Sequence, residues 1–150
     1  MLTFITMFLR LLLALGLGAL LGIERELVKK EEAGIRTEML VAGGACLFTL
    51  IALIVPSIIS VDTGNLSDIV AGNSGFIQII ANIVVGIGFI GAGVIIHNDG
   101  HPRGLTTAAM IWTTSAIGVL VGLGLAGFAS MVAATIFVLL YVLRKINVSR

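Results

Sequence analysis

The side chains able to do chemistry are few and gathered at a handful of points. Glu24, Arg25 and Glu26 stand together, and Arg36, Thr37 and Glu38 follow after a short interval. Two carboxylates at the carboxy end of a helix oppose its macrodipole, so helix propensity does not account for Glu24 and Glu26. Pairing across the loop with Arg36 would offset that penalty; a solvated boundary cluster is the plainer alternative. A third polar run, His97-Asn-Asp-Gly-His101-Pro-Arg-Gly-Leu-Thr-Thr, sets two imidazoles around Asp99, donor types that suit a transition metal. Gly100 and Pro102 spoil helical ligand spacing and no further ligands cluster nearby, so no metal site is expected. Thr106 or Thr107 is the expected amino-terminal cap of the following helix. Arg103 either snorkels or joins the Glu24–Arg36 group. Ser115 and Cys46 have no base beside them, and a hydroxyl or thiol without one is a weak nucleophile. No catalysis and no cofactor are expected.

These groups need a scaffold, and the composition says of what kind. The chain has 150 residues, 58% of them hydrophobic and 11% charged, with a mean hydropathy of +1.15. A soluble domain carries about a quarter charged residues, so this one cannot clothe a globular surface. A net charge of +1 gives no phosphate-tracking patch, which excludes a nucleic-acid binder. One cysteine excludes a disulfide scaffold and a cysteine-ligated zinc site. The lipid bilayer is the expected surrounding.

Between the charged groups lie long apolar gaps. Residues 2–23 contain only Arg10, and 39–61, 69–96 and 104–143 contain no charge. A helix crosses a ~30 Å hydrocarbon layer with roughly 20 apolar residues, so the last gap must turn back. Its three glycines at 122, 124 and 127 mark the hinge. The reading is an all-α polytopic membrane protein, one domain over 1–150, with five transmembrane helices near 3–23, 38–60, 76–97, 105–123 and 127–144. Gly72 to Gly75 read as loop before the third. Arg10 ahead of an apolar run has the outline of a signal peptide, but no small-residue cleavage pattern precedes Glu24, so residues 1–23 are read as a retained helix. Eight of the nine basic residues fall on one side of this arrangement. The positive-inside rule then puts the amino terminus outside and the carboxy terminus in the cytoplasm.

Within the spans, Arg10 either snorkels to the outer headgroups or pairs with Asp62 or Asp68. Gln78 and Asn82, one turn apart, would hydrogen-bond a neighbouring helix or hold a cation or water. Helix association in lipid depends on small residues that let backbones approach. Gly18 and Gly22, then Gly86, Gly88, Gly91 and Gly93, and finally Gly118 and Gly122 are the expected packing positions. Gly86 to Gly91 also spells G-x-G-x-x-G, but it lies mid-span and Ile111 stands where a dinucleotide fold needs an acid, so that meaning is rejected.

Four motifs occur in order: Gly-Ile-Glu-Arg-Glu at 22–26, Ala-Gly-Ile-Arg-Thr at 33–37, Gly-Ile-Gly-Phe-Ile-Gly-Ala-Gly-Val-Ile at 86–95, and Arg-Gly-Leu-Thr-Thr-Ala-Ala at 103–109, with Trp112 following. Over roughly residues 9–127 the chain resembles the membrane domain of the MgtC/SapB family. The resemblance implies a five-helix inner-membrane protein linked to adaptation to low magnesium. In some members it extends to intracellular survival and restraint of an F-type ATP synthase. By motif, Glu24, Arg25, Arg36, Thr37, Arg103 and Thr106 match its polar positions. Two departures stand out: many members carry a soluble domain after the last helix, which is not expected here, and Gln78 stands where members often have arginine. The expected function is non-enzymatic regulation of another membrane protein in magnesium homeostasis. The alternative is a small homo-oligomeric transporter or channel, and no acid lies mid-span in this reading to carry Mg²⁺.

Overall fold

A computed structural model describes residues 2–26, 33–59, 66–98 and 101–146. The elements are α1 (Phe4–Glu26), α2 (Ile35–Ile59), α3 (Leu66–Val94), β1 (Ile96–Asn98), β2 (His101–Arg103), α4 (Leu105–Leu123) and α5 (Ala126–Lys145). Five of them are helices long and apolar enough to cross a membrane. In hydrocarbon every backbone N–H and C=O must bond within its own segment, which is why apolar runs of this length take the helical form.

Two expectations need correction. The third helix begins at Leu66, not near 76, so Gly72 to Gly75 are helical; the apolar stretch itself does start at Gly75. Helical backbone bonds outweigh the glycines' cost of about 1 kcal/mol each. The same helix stops at Val94 rather than 97, and the chain turns into an antiparallel hairpin pairing Ile96 with Arg103 and His97 with Pro102. The hairpin closes on Gly104, whose positive φ of 82° suits glycine and whose missing Cβ leaves room for the Val94 carbonyl. At the other turn, Gly124 takes a φ of 91° and its N–H returns to the Val121 carbonyl, ending α4 where the glycine hinge was read.

The core is the seam between α1, α2 and α4, with Leu21, Ala42, Cys46, Ile117 and Val121 buried in it and Ala129 and Ala133 of α5 joining. Missing side chains make the seam close. A Cβ on Gly18 would meet the Glu38 carbonyl at 2.5 Å, and one on Gly22 would collide with the Ile35 backbone. Gly118 lies against the Ala42 backbone, and Gly122 against Thr49 and the Cys46 carbonyl. This register, with both numbers rising together, makes α2 and α4 parallel neighbours. α3 is peripheral. Its contact with α4 includes Gly91 against Ala108, while Gly86, Gly88 and Gly93 have no heavy atom within 4 Å of where a Cβ would stand. No other described helix of this chain fills those three positions, because α3 leans on the bundle by one edge.

Candidate functional site

Two features stand out: a charged group sealed inside the bundle, and an open groove beside it. The sealed group comes from the facing ends of α1 and α2 and from α4. Glu24 is 1% exposed and Arg25 4%, and the Arg25 guanidinium binds Glu24 Oε2 at 2.8 Å through both Nε and Nη2. Glu38 is 0% exposed. It stands beside Thr114, itself fully buried, and within electrostatic reach of Arg25. Among the described residues, Glu24 Oε1 has no hydrogen-bond partner, and the Glu38 carboxylate and Thr114 hydroxyl face each other without reaching close hydrogen-bond geometry. Thr107 and Ser115 are buried on the same helix.

Depth makes Glu38 unusual. Its backbone lies against Gly18 and its side chain beside Thr114. At 1.5 Å per residue, Gly18 is about 12 Å from the end of α1, and Thr114 about 13 Å from the start of α4. The amino end of α2 is therefore sunk between its neighbours, and a carboxylate near the start of one helix reaches the middle of two others. No acid stands mid-way along a span in sequence; Glu38 reaches that level by offset of the helices rather than by position in its own.

The other expected site residues fall as follows. Arg36 is exposed and does not pair with Glu24, whose partner is the adjacent Arg25; helical spacing turns residues 36 and 38 to different faces of α2. Glu26 is exposed, its side chain lying against Gly34. Thr37 lines the groove. Arg103 is exposed at the end of β2 and does not join the cluster. Neither Thr106 nor Thr107 caps α4: the cap position is Gly104, with no side-chain bond. The hairpin moves the start of the helix ahead of both threonines. The side chain of Asp68 lies outside the described residues, and Arg10 is half-buried. Its Nη1 donates to the Gly122 carbonyl at 2.8 Å, on the orphan carbonyls and negative dipole end of α4. Asp62 and Asp99 lie outside the described residues. Gln78 Nε2 donates to Asn82 Oδ1 at 3.2 Å within α3 rather than to a neighbouring helix. Thr114 and Ser115 are intramembrane polar groups that the transporter alternative would use, whereas Glu38 has no assigned role in the sequence reading. A signal existed for Glu38: it shares one helical face with Ala42, Ala45 and Thr49, and an acid heading a stripe of small residues is marked for burial.

The groove runs between α2 and α3, about 810 Å³ in volume. Leu40, Phe48, Ile83 and Ile87 give it apolar walls, Gly44 and Gly86 give it width, and its polar side chains are Arg36, Thr37 and Asn82.

Five apolar spanning helices around a sealed ionic group define a multi-pass helical membrane protein. The chain belongs to the MgtC family, whose match covers residues 11–149. It is 44% identical over 131 residues to Protein MgtC of Salmonella typhimurium (strain LT2), covering 87% of this chain and 48% of that one. It is 40% identical over 123 residues to Protein MgtC of Brucella abortus (strain 2308), covering 82% and 44%. The chain spans about half the length of the curated relatives it matches. No solved structure matches it.

Proposed function

We propose that this protein is a non-enzymatic protein of the cytoplasmic (inner) membrane that serves magnesium homeostasis by holding another membrane protein against the outer face of α3. Family membership supports the link to magnesium. The charge distribution supports an amino terminus outside and a carboxy terminus in the cytoplasm. The observation that carries the lateral contact is Gly88, open on the side of α3 turned away from the groove. Exposed Val85 and Phe89 are what any lipid-facing helix shows. Gly88 is not, because a glycine gives lipid nothing to pack on and loses helix stability, yet it lets another helix backbone come close. An F-type ATP synthase, the partner implied by the family resemblance, is the first candidate.

Gly88→Leu tests this reading, since a Cβ at this position has open space around it. Normal membrane levels with loss of growth in low magnesium and loss of the bound partner are expected. Unchanged growth and partner recovery would refute it. A second reading, a small oligomeric ion transporter, draws on the buried Glu24 and Glu38. It requires ion flux in liposomes that disappears in Glu38→Gln, and such flux would displace the first.

A further inference from the structure

The α2–α3 groove has a polarity of its own. Going along α2 from Arg36 to Phe48 it passes Leu40 and Gly44, and on the α3 side it is walled by Ile79, Ile83 and Ile90. Arg36 and Thr37 stand together at one end, and beyond them the only polar side chain in the lining is Asn82. Among the described residues no carboxylate pairs with Arg36; Glu24 and Glu38 are sealed inside the bundle, and Glu26 lies against Gly34. The groove therefore combines an exposed cation, which pairs with no carboxylate among the described residues, with an apolar slot. The slot is about 18 Å long, from the 1.5 Å rise per helical residue, against about 15 Å for half the hydrocarbon layer.

That combination selects its occupant. An apolar helix from another protein would fill the slot and leave the Arg36 charge unanswered. A second copy placed here by a two-fold axis along the membrane normal would bring its own Arg36 to the same depth, cation against cation. A molecule with an anionic head, an aliphatic tail and the length of one leaflet answers both ends. We infer that the α2–α3 groove is a binding site for an anionic phospholipid of the leaflet that Arg36 faces, its phosphate on the Arg36 guanidinium and the Thr37 hydroxyl and an acyl chain over Gly44 and Gly86. Guanidinium suits phosphate because its planar fork can donate two parallel hydrogen bonds. Basic pockets between helices on the cytoplasmic side of membrane proteins hold anionic headgroups in the same way.

The glycines make the site testable without disturbing the fold. A Cβ on Gly44 or Gly86 meets no heavy atom within 4 Å, so leucine at either position occupies the groove and not the core. The full chain is reconstituted in vesicles of phosphatidylglycerol mixed with phosphatidylcholine, extracted in mild detergent, and its retained lipid counted by native mass spectrometry. Wild type is expected to retain one phosphatidylglycerol per chain with at least a ten-fold preference over phosphatidylcholine. Arg36→Gln should keep a lipid but reduce the preference to near unity. Gly86→Leu and Gly44→Leu should lose retained lipid of both kinds, with helical content unchanged by circular dichroism. Millimolar inorganic phosphate should not displace the lipid, which separates a lipid site from a free-anion site. Equal retention of the two lipids by wild type, an unchanged preference in Arg36→Gln, displacement by phosphate alone, or a disulfide between copies carrying Gly86→Cys would overturn the assignment. Gly88→Leu, on the other side of α3, should leave lipid retention unchanged, so this site and the proposed partner surface fail separately.

Discussion

A carboxylate and a guanidinium on adjacent residues of one helix, both almost fully buried, hold each other at 2.8 Å where α1 meets α2 and α4. Taking two charges into a low-dielectric interior is repaid only while both are present, and removing one partner typically costs about 3–5 kcal/mol. Arg25→Ala is therefore expected to destabilise the protein by about that amount, measured as unfolding in a fixed detergent. Arg36→Ala, an exposed change outside any described ion pair, should stay within about 0.5 kcal/mol. A comparable loss for both would mean that the pairing seen here is not the one that matters. Arg10 acts on a helix end. Its bond to the Gly122 carbonyl places a cation at the carboxy terminus of α4, and Arg10→Ala should cost about 2 kcal/mol in the same assay, with partial recovery in Arg10→Lys. Residue types told which side chains were out of place in lipid, but not whom they would meet. Arg25 beside Glu24 was legible as sequence, yet an adjacent pair gains its strength only from burial. The contact of Arg10 with residue 122 joins distant parts of the chain, and no local pattern encodes it.

α2 and α4 run in parallel through a ladder in which one side is repeatedly missing a side chain: Gly118 faces the Ala42 backbone, and Gly122 faces Thr49 and the Cys46 carbonyl. Overpacking a tight interface costs roughly 1–3 kcal/mol, and the upper end is expected where the obstacle is backbone that cannot rotate away. Gly118→Ala should thus lower the unfolding midpoint clearly, whereas Gly86→Ala, with open space around it, should change it little. The reverse order would show that α3, not α4, is the central helix. The helices themselves were readable from charge-free gaps, because hydrocarbon leaves the backbone little choice: α4 has the bounds that the gap and hinge predict, 105–123. What the gaps did not show was the hairpin at Ile96–Asn98 and His101–Arg103 or the extra turns of α3 from Leu66. Both lie at the polar margin of a span, where hydropathy stops deciding and tertiary contacts such as Gly104 against Val94 take over.

At the scale of the molecule the polar and open features divide the bundle. Charges that would be costly in lipid are sealed between α1, α2 and α4, while α3 leaves Gly88 open on its outer side and, with α2, forms a groove open at the side. The proposed partner contact and the proposed lipid site both use this open side of the bundle. Membership of the family was legible from four motifs, but which glycines were buried and which were free was not, since both kinds recur at the same helical spacing. The most direct test of the lateral-contact account places a photo-crosslinking amino acid at Gly88 in cells growing in low magnesium, with the exposed Met131 of α5 as control. The account predicts an adduct with one other membrane protein from position 88 and none from position 131. No adduct from position 88, or the same adducts from both, would contradict it.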